Sequence, residues 1–116
     1  MKRKQVFKLG TMDETHLTLT PTLSEFLQGR LHDTKMDVVF NLTAVTGSVT
    51  LSVEEQLDNS VWYETAVSTA QTSVDMVGLA NENFPMLGKL NLCRFAAAIS
   101  EGTTFAADVY AITYEN

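Results

Sequence analysis

The sequence predicts an all-β protein, an antiparallel β-sandwich of about seven or eight short strands. The first observation is strict alternation. Met36, Val38, Phe40, Leu42 and Ala44 alternate with mostly polar neighbours, as do Val49, Leu51 and Val53, and then Val61, Tyr63, Thr65 and Val67. Period-2 patterning of this kind places one face of a strand on a core. The second observation is what interrupts it. Thr46-Gly47-Ser48 and Asp58-Asn59-Ser60 are turn residues set between the apolar runs. The third is that the rest of the chain breaks into short segments with frequent turns, and nothing repeats at a fixed period.

Taken in order, Gln5 to Leu9 reads as a short strand, and Thr11 to Thr15 as a polar turn. His16 to Thr20 is a second short strand with Leu17 and Leu19 inward, ended by Pro21, which cannot donate to a ladder. Thr22 and Glu25 have capping-box spacing, and Leu23, Phe26, Leu27 and Leu31 recur at helical spacing. Residues 22–31 therefore form either a short helix or an ordered corner, with Gly29 weighing against the helix. The three alternating strands follow, the middle one expected to end at Glu54 and Glu55. Ser68 to Ser73 reads as loop, Thr72 to Leu79 as a weak strand, and Asn81 to Gly88 as loop again. In Lys89 to Ile99 the apolar phase changes between Leu90 and Leu92 on one side and Phe95, Ala97 and Ile99 on the other. That predicts a bulge near Cys93-Arg94 or a strand covered on both faces. Ser100 to Thr103 is a hairpin turn, and Thr104 to Tyr114 the last strand. The alanines in residues 94–99 and 105–112 also fit a helical face, but the Thr, Tyr, Val and Ile content favours strands.

At 116 residues the chain is read as one domain, with residues 1–10 an N-terminal arm or edge segment and residues 11–116 a single sandwich. Its composition, 45% apolar and 19% charged, is that of a folded chain and not a disordered one. A net charge of −6 argues against general nucleic-acid binding, which needs clustered Lys and Arg. Cys93 is the only cysteine, so no intrachain disulfide forms, as expected for folding in a reducing cytoplasm. The opening M-K-R-K-Q-V-F-K-L-G has the charge of a signal peptide but no apolar stretch after it. No run approaches the roughly 18 apolar residues of a membrane helix. Synthesis in a cytoplasm, with no membrane partner, is the expectation.

Few residues suggest chemistry. Asp13, Glu14 and His16 are ligand types close together, but His32 is the only other histidine and Cys93 has no thiol partner, so a solvated turn is expected and no metal. Nothing in the spacing pairs Cys93 with a histidine as nucleophile and base; it reads as a small buried hydrophobe. Glu54 and Glu55 are adjacent and point to opposite strand faces, so they cannot converge on one bond. No catalytic residue, cofactor or enzyme activity is expected.

Interaction is the better prospect. Trp62 and Tyr63 face opposite ways in a strand, one toward the core and the other toward a sugar or a subunit. Arg94, among apolar residues, is expected to pair with a carboxylate across the sheet. Tyr110, Ile112 and Tyr114 are apolar on what should be the solvated face of the last strand, and with Val39 they predict a covered surface. Lys2, Arg3 and Lys4 give an acidic chain a basic start, suited to a negative partner.

The region from Ser48 to Tyr114 resembles small virion proteins of tailed bacteriophages. The residues that carry the resemblance are S-V-T-L-S-V, a D-N-S turn, a strand opening V-W-Y with Trp62, the segment F-P-M-L-G-K-L-N-L-C-R-F with Arg94, and a final hairpin I-S-E-G-T-T-F-A-A-D-V-Y-A-I with Gly102 and Phe105. The resemblance implies a jelly-roll-like sandwich and a head decoration, or cement, protein that binds the lattice of the major capsid protein. It also implies a homo-oligomer, trimer or dimer, located in the virion. A tail or neck component, and a carbohydrate- or host-receptor-binding module, are the alternatives. Residues 1–40 carry no part of the resemblance.

Overall fold

The computed structural model describes residues 3–20, 36–58, 61–81 and 93–115. These form β1 (Arg3–Asp13), β2 (Thr18–Leu19), β3 (Met36–Thr46), β4 (Val49–Asp58), β5 (Val61–Val67), β6 (Asp75–Asn81), β7 (Cys93–Ile99) and β8 (Thr104–Glu115). They build two four-stranded sheets, ordered β1-β8-β3-β6 and β2-β7-β4-β5, and every pairing is antiparallel. Strand 1 lies beside 8, 2 beside 7, 3 beside 6 and 4 beside 5. That is the order produced by doubling the chain into one long hairpin and rolling it up, the jelly-roll arrangement.

The core lies between the sheets. One sheet contributes Met12, Val38, Phe40, Leu42, Val77, Leu79, Phe105, Ala107, Val109 and Ala111, and the other Val49, Leu51, Val53, Phe95 and Ala97. Phe40 and Phe95 meet across the gap edge to face, with ring centroids 6.0 Å apart. Each large side chain removed from water contributes about 1.5–3 kcal/mol before entropy is counted. The alanines of β7 and β8 are strand residues, which removes the helical alternative. On β8, Ala107 lies between Met12 and Leu42, and Ala111 between Phe7 and Val38. Small residues on a central strand leave volume for the large ones on its neighbours.

Four boundaries differ from expectation. β1 continues through Thr11 to Asp13, because its partner β8 runs on beside it. A bulge between Lys8 and Gly10 breaks the apolar pattern that would have signalled this. A Cβ at Gly10 would sit 2.9 Å from Leu19 Cδ1, so another residue there would have to push the Leu19 side chain aside from a backbone at φ 157°. The expected division after residue 10 therefore falls inside one strand, and from Arg3 onward the basic start is an edge strand. β4 runs past Glu54 and Glu55 to Asp58, since both carboxylates find partners. β7 pairs with β4 from Cys93 to Ile99 with no register shift, so no bulge lies at Cys93-Arg94 in that pairing. The helix considered for residues 22–31 lies outside the described residues, as do His32, Leu90 and Leu92.

The β3–β4 and β7–β8 turns are tied together at one end of the sandwich. Buried Thr103 accepts from Ser48 N–H at 3.1 Å and shares a 2.7 Å hydrogen bond with the Ser100 hydroxyl. Gly47, at φ 102°, lies against it, and a Cβ there would overlap the Thr103 hydroxyl. Any other residue at Gly47 meets both backbone strain and this clash.

Candidate functional site

Strand pairing assigns the outward positions of the β1-β8-β3-β6 sheet in rows. One row is Lys8, Tyr110, Val39 and Gly78, and the next is Val6, Ile112, Asp37 and Ala80. Directly opposite residues share a face, so the expected grouping of Tyr110, Ile112 and Val39 is what the register produces. All three are half-buried, and Val6 beside them is 53% exposed. Gly78 ends its row with nothing within 4 Å of where a Cβ would stand. The third row holds Thr11, Asp108, Asn41 and Met76, with Met76 at 66% exposure. Lys8 Nζ reaches Asp108 Oδ1 at 3.5 Å across the rows, the one ion pair on this face among the described residues. In water such a pair is worth little.

The remaining expected contact residues lie at one end of this sheet. Arg3 pairs in register with Glu115, and Lys4 with Tyr114. The side chains of Arg3, Lys4 and Tyr114, and all of Lys2, lie outside the described set. Val6 and Met76 were not expected on this face. The signal for Val6 was present in its alternation with Phe7, but the bulge at Gly10 hides the phase of the whole strand.

The outer face of the other sheet is different. Arg94 lies across from Glu54 in the β4–β7 register. Its Nε donates to Glu54 Oε1 at 2.7 Å, as expected for an arginine among apolar neighbours. Its guanidinium carbon stands 4.4 Å above the Trp62 ring, a cation–π contact. Trp62 is half-buried and Tyr63 is exposed, so neither is in the core. A bulge in β5 between the positions facing Val53 and Glu54 turns Trp62 to the outer face, while Tyr63, opposite Glu55, keeps the inward side but stays exposed. Arg94 occupies the Trp62 face that a sugar would need. Tyr63 instead donates its hydroxyl to Glu55 Oε2 at 3.2 Å. The Glu55 carboxylate raises the Tyr63 pKa above 10, first by its charge and then through that hydrogen bond. Glu54 and Glu55 thus serve opposite faces, as their adjacency requires.

Asp13, Glu14 and His16 form an ordered turn. Asp13 Oδ1 accepts from the Thr15 hydroxyl at 2.6 Å, Thr15 N–H at 2.8 Å and His16 N–H at 2.9 Å. The Thr15 hydroxyl, then its N–H, then the His16 ring hold the Asp13 carboxyl down at about 2. Glu14 turns the other way and accepts from Phe105 N–H at 3.2 Å. The three side chains therefore do not converge. Among the described residues no group of His, Cys, Asp or Glu is placed to hold a metal ion.

No family model matches the chain, and no curated protein or solved structure matches it.

Proposed function

We propose that this protein is a virion structural protein, a decoration protein of a tailed-phage head that binds the major capsid lattice through the outer face of its β1-β8-β3-β6 sheet. The supporting observation is the apolar surface formed by Val6, Val39, Tyr110 and Ile112 on a sheet whose other face is already packed. A sheet face of this kind gains free energy when a second surface removes it from water, at about 25 cal/mol per Å². The jelly roll is an architecture shared by capsid and lectin domains, so the capsid enters through the resemblance of residues 48–114 to phage virion proteins and not through the fold. Arg94 above Trp62 weighs against the sugar-binding alternative.

The test is co-sedimentation with emptied phage heads. Tyr110→Ser combined with Val39→Ser should weaken binding by about tenfold or more, as loss of a central aromatic contact does. The variant should keep the far-ultraviolet spectrum of the parent. Unchanged binding by a folded double variant would sink the proposed face, and absence of binding by the parent would sink the capsid as partner.

A further inference from the structure

The sandwich has four sheet edges, β1, β6, β2 and β5. Proteins protect such edges against pairing with other chains by bulges, by charge, by proline or by keeping the strand short. β1 carries Arg3, Lys4 and Lys8 and a bulge. β2 is two residues long. β5 meets β4 through two register shifts. β6 has no bulge and no proline, and its single charge, Asp75, stands at its first position. It is seven residues, D-M-V-G-L-A-N, without Lys, Arg or Pro. It pairs with β3 from Asp75 to Asn81 without a register shift. Among the described residues nothing pairs with its far side.

The sequence of β6 is also self-complementary. Antiparallel pairing with an identical strand about Gly78 sets Val77 opposite Leu79, Met76 opposite Ala80 and Asp75 opposite Asn81. Inward positions then meet inward positions and outward meet outward, and Asp75 falls opposite position 81 and not opposite its own copy. Like charges directly opposite would have opposed such pairing. Val77 and Leu79, at 8% and 9%, are the most exposed of the core residues apart from Ala97, also 8%, and would be closed over by the second strand. Gly78 brings no side chain to the twofold, so nothing flanks the two backbones where they would meet. Met76 at 66% and Val74 at 61% are the most exposed large apolar side chains described, and both lie at this edge.

We infer that β6 is a self-association edge, where two copies of this chain pair antiparallel about a twofold axis at Gly78. The result is one continuous eight-stranded sheet, β1-β8-β3-β6 followed by the same strands in reverse. A twofold contact of this type uses one patch on both copies and closes at the dimer. The inference comes from the strand edges alone and does not depend on the capsid as partner.

Sedimentation velocity on the full chain across the micromolar range tests it. The parent should show a monomer–dimer equilibrium. Gly78→Lys should be monomeric, because it sets two ammonium groups opposite each other, and so should Gly78→Glu. Both should melt at their own single transition as folded proteins, since a side chain at Gly78 meets nothing within 4 Å in the monomer. An equal mixture of the two variants should recover the dimer, because the twofold now pairs a lysine with a glutamate. Met76→Lys gives a second blocking variant at an exposed site. A parent that stays monomeric throughout, as it would if another part of the chain covers β6, overturns the inference. So does a Gly78→Lys variant that still dimerises, or a mixture that fails to recover.

Discussion

The outer faces of the two sheets are built from the same strand geometry and solve the same problem in opposite ways. On the β2-β7-β4-β5 sheet the outward positions are small or polar, such as Thr50, Ala96 and Ala98, and the one large aromatic, Trp62, is capped by Arg94, itself held by Glu54. On the β1-β8-β3-β6 sheet, Val6, Val39, Tyr110 and Ile112 lie side by side with only the Lys8–Asp108 pair to accompany them. The first face satisfies its own charges and covers its own ring. The second leaves apolar area in water. Two faces that are equally outward therefore have different capacities for partners, because one is small, polar and self-paired and the other sets large apolar residues opposite one another.

The largest expected effect breaks both faces at once. Phe40→Ala removes the ring that meets Phe95 between the sheets, and should cost about 3–5 kcal/mol in urea unfolding. A loss below about 1 kcal/mol would mean that the sheets are not held by that contact. The next effect separates the faces. Arg94→Ala strands the Glu54 carboxylate, which is 16% exposed, and uncovers Trp62, so stability should fall by about 1–3 kcal/mol. Tyr110→Ser, on the other face, should cost about 1 kcal/mol or less while reducing partner binding. Equal losses in the two variants would erase the contrast. The smallest effect sharpens the picture at the rim, where β1 leaves its sheet. Asp13 titrates at about 2 against an ordinary 3.8. A depressed carboxylate favours the folded state above pH 3.8, and that contribution is lost as pH falls through about 2. In an NMR titration Thr15→Ala should move the Asp13 midpoint up toward 3.8. No movement would place the cause elsewhere than in the Thr15 hydroxyl.

Much of this was legible in the residues. The alternation of Val38, Phe40 and Leu42 and of Val49, Leu51 and Val53, broken by Gly47, specifies two strands with their inner faces known in advance, although the turn carries the chain from one sheet to the other and the two strands do not pair. The outward grouping of Tyr110 and Ile112 followed from the phase of β8, and the cross-strand partner of Arg94 from the cost of burying it alone. What stayed hidden depends on bulges and long-range register. The bulge at Gly10 shifts the phase of β1, so Val6 could not be placed on a face until β8 was beside it. The shift in β5 turns Trp62 outward and puts Tyr63 on the inward side, where it is nevertheless exposed, so neither joins the core although strict alternation puts one of them there. The free edge of β6 was invisible, because a short sequence does not say which strands will be outermost.

The strand order also constrains the time course of folding. β8 lies between β1 and β3, pairing Arg3 with Glu115 and Met36 with Thr113. The first sheet therefore lacks its central member until β8 has been synthesised, long after β1 and β3. During translation β1 and β3 have no neighbour between them, and their apolar faces wait in the open for a strand made later. Contacts of such sequence separation form slowly, since loop closure precedes any reward. The jelly roll is thus a fold whose first sheet closes only when its eighth strand is present, and its earlier strands are the part exposed to chaperones in the interval.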